Sequence, residues 1–127
     1  MKKIIQTNLA PAPIGPFSQA TAHGGTLYVS GQLPIDPTTG EIEGTDVQTQ
    51  TQRVMQNLLA IVEAAGATSA DILKCTILLT DMNDFAAMNA VYGSFFPTDP
   101  PARICYQVTA LPKGAIVEVD AIAIVAK

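Results

Sequence analysis

Charge is what this chain has least of. Only 14% of its 127 residues are Asp, Glu, Lys or Arg, while 48% are hydrophobic; an ordinary soluble domain is about 25% charged. The seven Lys and Arg are scattered and outnumbered by eleven Asp and Glu, leaving a formal net charge of −4. That balance lacks the basic stripe of a nucleic-acid binder and argues against such a partner. Histidine occurs once, at His23 beside Gly24-Gly25, so a Cys–His nucleophilic pair is not expected. The two cysteines, Cys75 and Cys105, do not have metal-ligand spacing. The acidic residues show none either, so no metal site is expected. Nothing ahead of Gln6-Thr7-Asn8 resembles a signal peptide, and the thiols read as free in a cytoplasmic protein. No apolar run reaches the ~20 residues of a membrane-spanning helix. No dinucleotide fingerprint, phosphate loop or repeat occurs, so no cofactor is expected.

What is there suits one domain over residues 1–127, long enough to bury roughly two-thirds of its unfolded surface. A lone globule this apolar would struggle to cover itself with polar groups, which points to surface buried against other subunits. Lys3 to Gln6 reads as a short strand. Ala10 to Pro16, with three prolines and a glycine, reads as an extended loop. Phe17 to Ala22 and Thr26 to Ser30 read as strands joined through Gly24-Gly25. A helix begins near Thr45 or Asp46, with Thr45 and Gln48 as a candidate capping box, and stops at Gly66. Its inner stripe is Val47, Thr51, Val54, Leu58, Ile61, Val62 and Ala65. A strand over Ile72 to Leu79 precedes a second helix capped by Asp81 or Asn83 and ended by Pro97. Strands Ala102 to Thr109 and Ala115 to Val125 complete the chain. The expected class is α+β, a mostly antiparallel sheet with two helices on one face.

Alternation then assigns the sheet faces. Leu73, Cys75, Ile77 and Leu79 oppose Ile72, Lys74, Thr76 and Leu78. Ile104, Tyr106 and Val108 oppose Arg103, Cys105 and Gln107. Val117, Val119, Ala121, Ala123 and Val125 oppose Ile116, Glu118, Asp120, Ile122 and Ile124. The all-apolar sets, that of Ile104 included, are expected beneath the helices. The other face is then expected to hold Arg103, Cys105, Glu118 and Asp120 among Ile72, Leu78, Ile116, Ile122 and Ile124, with the two cysteines on opposite sides. A water-facing sheet surface should be polar. This one is half apolar, so it is expected to pack against another subunit.

Arg103 and Glu118 are the most suggestive pair. Arginine presents a planar fork that grips a carboxylate, and glutamate can orient or deprotonate a water. Together they suit hydrolysis of a small carboxylate-bearing substrate; the same residues would also serve as an interfacial ion pair. Cys105 reads as an inert thiol whose backbone matters more than its sulfur. Gly15-Pro16-Phe17-Ser18-Gln19 and Ser30-Gly31-Gln32 read as turns where backbone approaches something closely.

Those segments carry a resemblance. Ile14 to Ala20, Val29-Ser30-Gly31-Gln32 and Asn83-Asp84-Phe85 with Asn89 and Tyr92 match in order. So do Pro101-Ala102-Arg103, Leu111-Pro112-Lys113-Gly114 and Val117-Glu118-Val119. The chain resembles the reactive-intermediate deaminase (Rid, YjgF) family over nearly its whole length. The resemblance implies a chorismate-mutase-like fold and a homotrimer with sites in the clefts between subunits. It implies hydrolysis of 2-imino acids and 2-aminoacrylate-type enamines to 2-keto acids and ammonia. It also implies roles: Arg103 grips the substrate carboxylate, Glu118 positions the water, and the Cys105 backbone meets the imine end. Ser30, Gly31 and Asn89 line the pocket. One residue departs from the family pattern: Phe17 stands where Tyr is usual. The missing hydroxyl motivates the alternative, a non-catalytic protein that binds or senses small 2-keto carboxylates.

Overall fold

The computed structural model describes residues 1–126, so Lys127, the last residue of the expected domain, lies outside the described residues. Helix α1 spans Val47–Ala64. Asp46, not Thr45, caps it, accepting the Thr49 N–H at 2.9 Å. The helix gives way at Gly66, whose φ of +85° suits a residue without Cβ. The inner stripe from Val47 to Val62 is buried, and Gln48, Gln52, Gln56 and Glu63 are exposed. Helix α2, Phe85–Ser94, follows a single 3-10 turn that Asp81 caps by accepting the Asn83 N–H at 2.9 Å.

The strands are β1 Lys3–Ile5, β2 Ala20–His23, β3 Thr26–Gln32, β4 Ile72–Leu79, β5 Ala102–Gln107 and β6 Val117–Ile124, in sheet order β1-β2-β3-β6-β4-β5. All neighbours are antiparallel except β4 and β5, which run parallel. That single parallel pair follows from the chain path: β4 reaches β5 through α2, and a crossover helix returns the chain to run the same way. Both helices pack on one face of this mixed sheet. Leu27 and Val29 of β3, Cys75, Ile77 and Leu79 of β4, and Val117, Val119, Ala121 and Ala123 of β6 meet Val54, Leu58, Ile61, Met88 and Tyr92 in one apolar core.

Four expectations change. A register shift between Ile72 and Lys74 breaks the alternation of β4, so Ile72 is buried in the core and Leu73 is exposed. Phe17 precedes β2 in an irregular segment. Ile116 lies before β6 and packs partly against the core. Most consequentially, β5 is turned over. Its parallel register pairs Arg103 with the fully buried Cys75 and Cys105 with Ile77, so Arg103 and Cys105 face the helices. Both cysteines therefore share the helix side, two register positions apart, and both are free. Ile104 and Tyr106 are half exposed on the opposite side. Hydrophobicity alone reads β5 the wrong way because it is an edge strand, and α2 offers Arg103 specific partners.

The face away from the helices is open and apolar. Tyr28, Ile104, Tyr106 and Ile124 stand about half exposed there, with Ile122 and Leu78 between them. Apolar patches of this kind, on an edge strand and its neighbours, are rarely left open to water in a lone domain. No helix among the described residues is long and apolar enough to cross a membrane.

A candidate active site in two halves

Glu118 belongs to the open face. Its β6 position registers with Leu78, and Asp120 registers with Thr76. These four side chains and Gly31 line one small cavity. Gly31 is there because β3 bulges: the register with β6 shifts between Val29 and Gln32. A Cβ at Gly31 would overlap Glu118 Oε2 and sit 3.0 Å from its Cδ. The glycine is thus the space into which the Glu118 carboxylate is folded. Burial pushes the Glu118 pKa up, and the Asp120 carboxylate pushes it further. Asp120 is itself held by the backbone N–H of Thr76 at 2.9 Å. Glu118 is therefore a carboxylate with raised basicity at the mouth of a cavity.

The same bulge reaches Phe17. Ser30 donates its hydroxyl to the Ser18 carbonyl at 2.6 Å and its N–H to the Gln19 carbonyl at 2.9 Å. The exposed Phe17 ring walls an adjoining pocket that shares Gly31 with the Glu118 cavity. Gln19, buried, fixes this loop from behind. Its amide donates to the Thr7 and Pro11 carbonyls at 3.0 and 2.8 Å and accepts the Thr7 N–H at 2.8 Å. Its place in the Phe17 segment was legible, but its latch function was not, because the partners are loop backbone groups distant in sequence.

Arg103 sits on the other side. Nη1 donates to Asn89 Oδ1 at 2.7 Å. Its Cζ lies 5.4 Å from the centre of the Phe85 ring and 5.1 Å from that of Tyr92. No acidic group among the described residues pairs with it; the ion pair observed is Arg53–Glu43. Cys105 lies two residues along the same strand face. Burial pushes its thiol pKa up against the pull of Arg103, and burial pushes Cys75 to about 11. Neither is a thiolate nucleophile at neutral pH.

The residues expected from sequence thus form two groups. Glu118, Gly31, Ser30 and Phe17 gather at the bulge on the open face. Arg103, Asn89 and Cys105 gather between β5 and α2 on the helix face. Within one chain the sheet separates them, so the Arg103–Glu118 pairing expected from a shared face does not occur. One half holds a guanidinium without a carboxylate, and the other holds carboxylates without a cation. Among the described residues no group of His, Cys, Asp and Glu could hold a metal ion.

The chain thus sets two helices on a mixed sheet, an arginine against the rings of α2, and a carboxylate against a bulge glycine. The family model for Endoribonuclease L-PSP matches residues 7–125. A RutC family protein of Pyrococcus horikoshii is 50% identical over 123 residues, covering 97% of this chain and 98% of that one. The mouse 2-iminobutanoate/2-iminopropanoate deaminase is 44% identical over 124 residues, covering 98% of this chain and 92% of its own. The crystal structure of E. coli TdcF with bound serine has a TM-score of 0.93 at 46% identity, with 98% and 99% of the two chains covered. The chain belongs to the Rid (YjgF) family.

Proposed function

We propose that this protein hydrolyses 2-imino acids and their enamine tautomers to 2-keto acids and ammonia, as a homotrimer with its sites between subunits. The observation that carries the reading is Arg103: a guanidinium stacked on two rings, without an internal carboxylate. Such a group is a ready grip for a substrate carboxylate. The name of the mouse relative supports the reaction, and the serine bound to TdcF supports a small amino-acid-like ligand. The opposed faces of the two half-sites, together with the apolar open face, support completion of each site by a second copy. The threefold number comes from the family resemblance.

An imine carbon is already electrophilic, so no covalent nucleophile is needed. Arg103 holds the carboxylate and so fixes C2. Glu118 takes a proton from water as the oxygen adds to C2, giving a carbinolamine. That proton passes to the nitrogen, the carbinolamine hydroxyl proton follows it by way of Glu118, the C–N bond breaks, and ammonia leaves as the C=O bond forms. The raised basicity of Glu118 favours the first step, and the proton it then carries serves the second. Phe17 supplies an aromatic wall without a hydroxyl. Most of the gain is positioning and charge stabilisation.

The test couples a threonine dehydratase to detection of 2-keto acid. Addition of this protein is expected to accelerate release, and Arg103→Ala to abolish the acceleration. No acceleration, with 2-keto acid binding that still needs Arg103, would leave the non-catalytic binding reading in its place.

A further inference from the structure

The sequence motif running from Phe85 through Asn89 to Tyr92 has a function beyond helix packing. These residues stand at i, i+4 and i+7 of α2, one stripe of the helix. That stripe faces Arg103. Asn89 takes one of the five guanidinium N–H groups. Phe85 and Tyr92 offer their rings to the guanidinium at 5.4 and 5.1 Å. Tyr92 is buried, and its hydroxyl lies beside the Cys75 thiol. The tyrosine therefore meets Arg103 through its ring and not through its oxygen. Burial pushes its pKa up, which keeps the phenol neutral.

A half-buried guanidinium is usually balanced by a carboxylate, and here that would defeat the purpose. An internal carboxylate would occupy the fork and compete with the ligand. The negative faces of aromatic rings stabilise the cation without accepting its N–H groups. We infer that Phe85 and Tyr92 are positioning residues which hold Arg103 charged and unpaired in one plane, making α2 the element that sets selectivity for a planar carboxylate. This rests on the reading that Arg103 binds the substrate carboxylate.

The experiment measures calorimetric binding of 2-oxobutanoate to the intact protein, with the thermal midpoint of each variant beside it. Phe85 is partly buried against the core, and leucine keeps an apolar side chain there, so Phe85→Leu is expected to fold with a midpoint lowered by no more than about 4 °C. It should raise Kd about 5- to 10-fold through loss of one ring face, and Phe85→Tyr should restore affinity. The Arg103 Nε–H NMR resonance, displaced by the ring currents of its neighbours, should move toward the solvated position in Phe85→Leu alone. The resonance reports that the ring lies over the guanidinium; loss of affinity at an undisturbed fold, regained in Phe85→Tyr, is what a merely space-filling residue would not give. If Arg103→Ala abolishes binding while Phe85→Leu leaves Kd unchanged, the inference is overturned and the site reading stands. If Arg103→Ala binds as tightly as the parent, or the parent does not bind, the site reading itself falls and this inference with it.

Discussion

The chemistry rests on a few side chains whose surroundings are unlike those of ordinary surface groups. Glu118 is half buried beside Asp120, and its proton is held more tightly than usual. The sign of its effect on stability follows. Between its ordinary and its raised pKa the folded state binds more protons than the unfolded one, so stability falls as pH rises through that window and stays reduced above it. Glu118→Gln removes this cost. It is expected to raise the thermal midpoint at neutral pH by about 1–3 °C while lowering kcat by roughly 100-fold or more. A lowered midpoint would contradict the burial argument. Gly31→Ala pushes the carboxylate from its place. It should cut kcat by about tenfold or more, the scale of a misplaced catalytic group, with the far-UV spectrum intact. Cys75, fully buried and pushed to about 11, should react with iodoacetamide at neutral pH only after unfolding. Rapid alkylation of the native protein would show that the core is open there.

The elements were legible in number and order because their signals are local. Eight segments, two caps and the α1 stripe follow from periodicity, glycine stops and acidic caps. Sheet orientation was not legible for β5. Ile104 and Tyr106 are more apolar than Arg103 and Cys105, so a rule of apolar-inward turns the strand over. What decides it is the Phe85, Asn89 and Tyr92 stripe on α2, which reaches across the sequence to Arg103. The bulges at Ile72–Lys74 and Val29–Gln32 were likewise invisible, since they depend on pairing with β6. The site residues themselves were found by motif, but their division between two faces was not. One buried side chain ties the segment after the bulge to α1: Asn57 donates to the carbonyls of Leu33 and Ile35 at 3.0 and 2.8 Å. Asn57→Ala leaves both carbonyls without this partner and is expected to cost about 1–3 kcal/mol of stability in urea unfolding. A change below about 0.5 kcal/mol, within the range of ordinary surface substitutions, would show that the loop is held by other means.

At the scale of the whole molecule, the scarcity of charge and the apolar open face describe the same feature. Tyr28, Ile104, Tyr106 and Ile124 are the surface that a second copy would bury. Ile104→Glu should therefore dissociate the assembly in sedimentation velocity and abolish turnover while leaving helix content unchanged; an active monomer would contradict the shared site. The net charge of −4 gives no electrostatic grip on RNA, so the purified protein should not cleave it, whatever the family description. The central claim is that each site takes Arg103 from one subunit and Glu118 from the next. Arg103→Ala and Glu118→Gln proteins, each with about a hundredth of parental turnover or less, can be unfolded together and reassembled in equal amounts. In a ring of subunits joined head to tail, random mixing gives about one quarter of the sites both intact residues, so about a quarter of parental turnover should return. If mixed assemblies form and no activity returns, Arg103 and Glu118 do not meet across an interface, and the account fails.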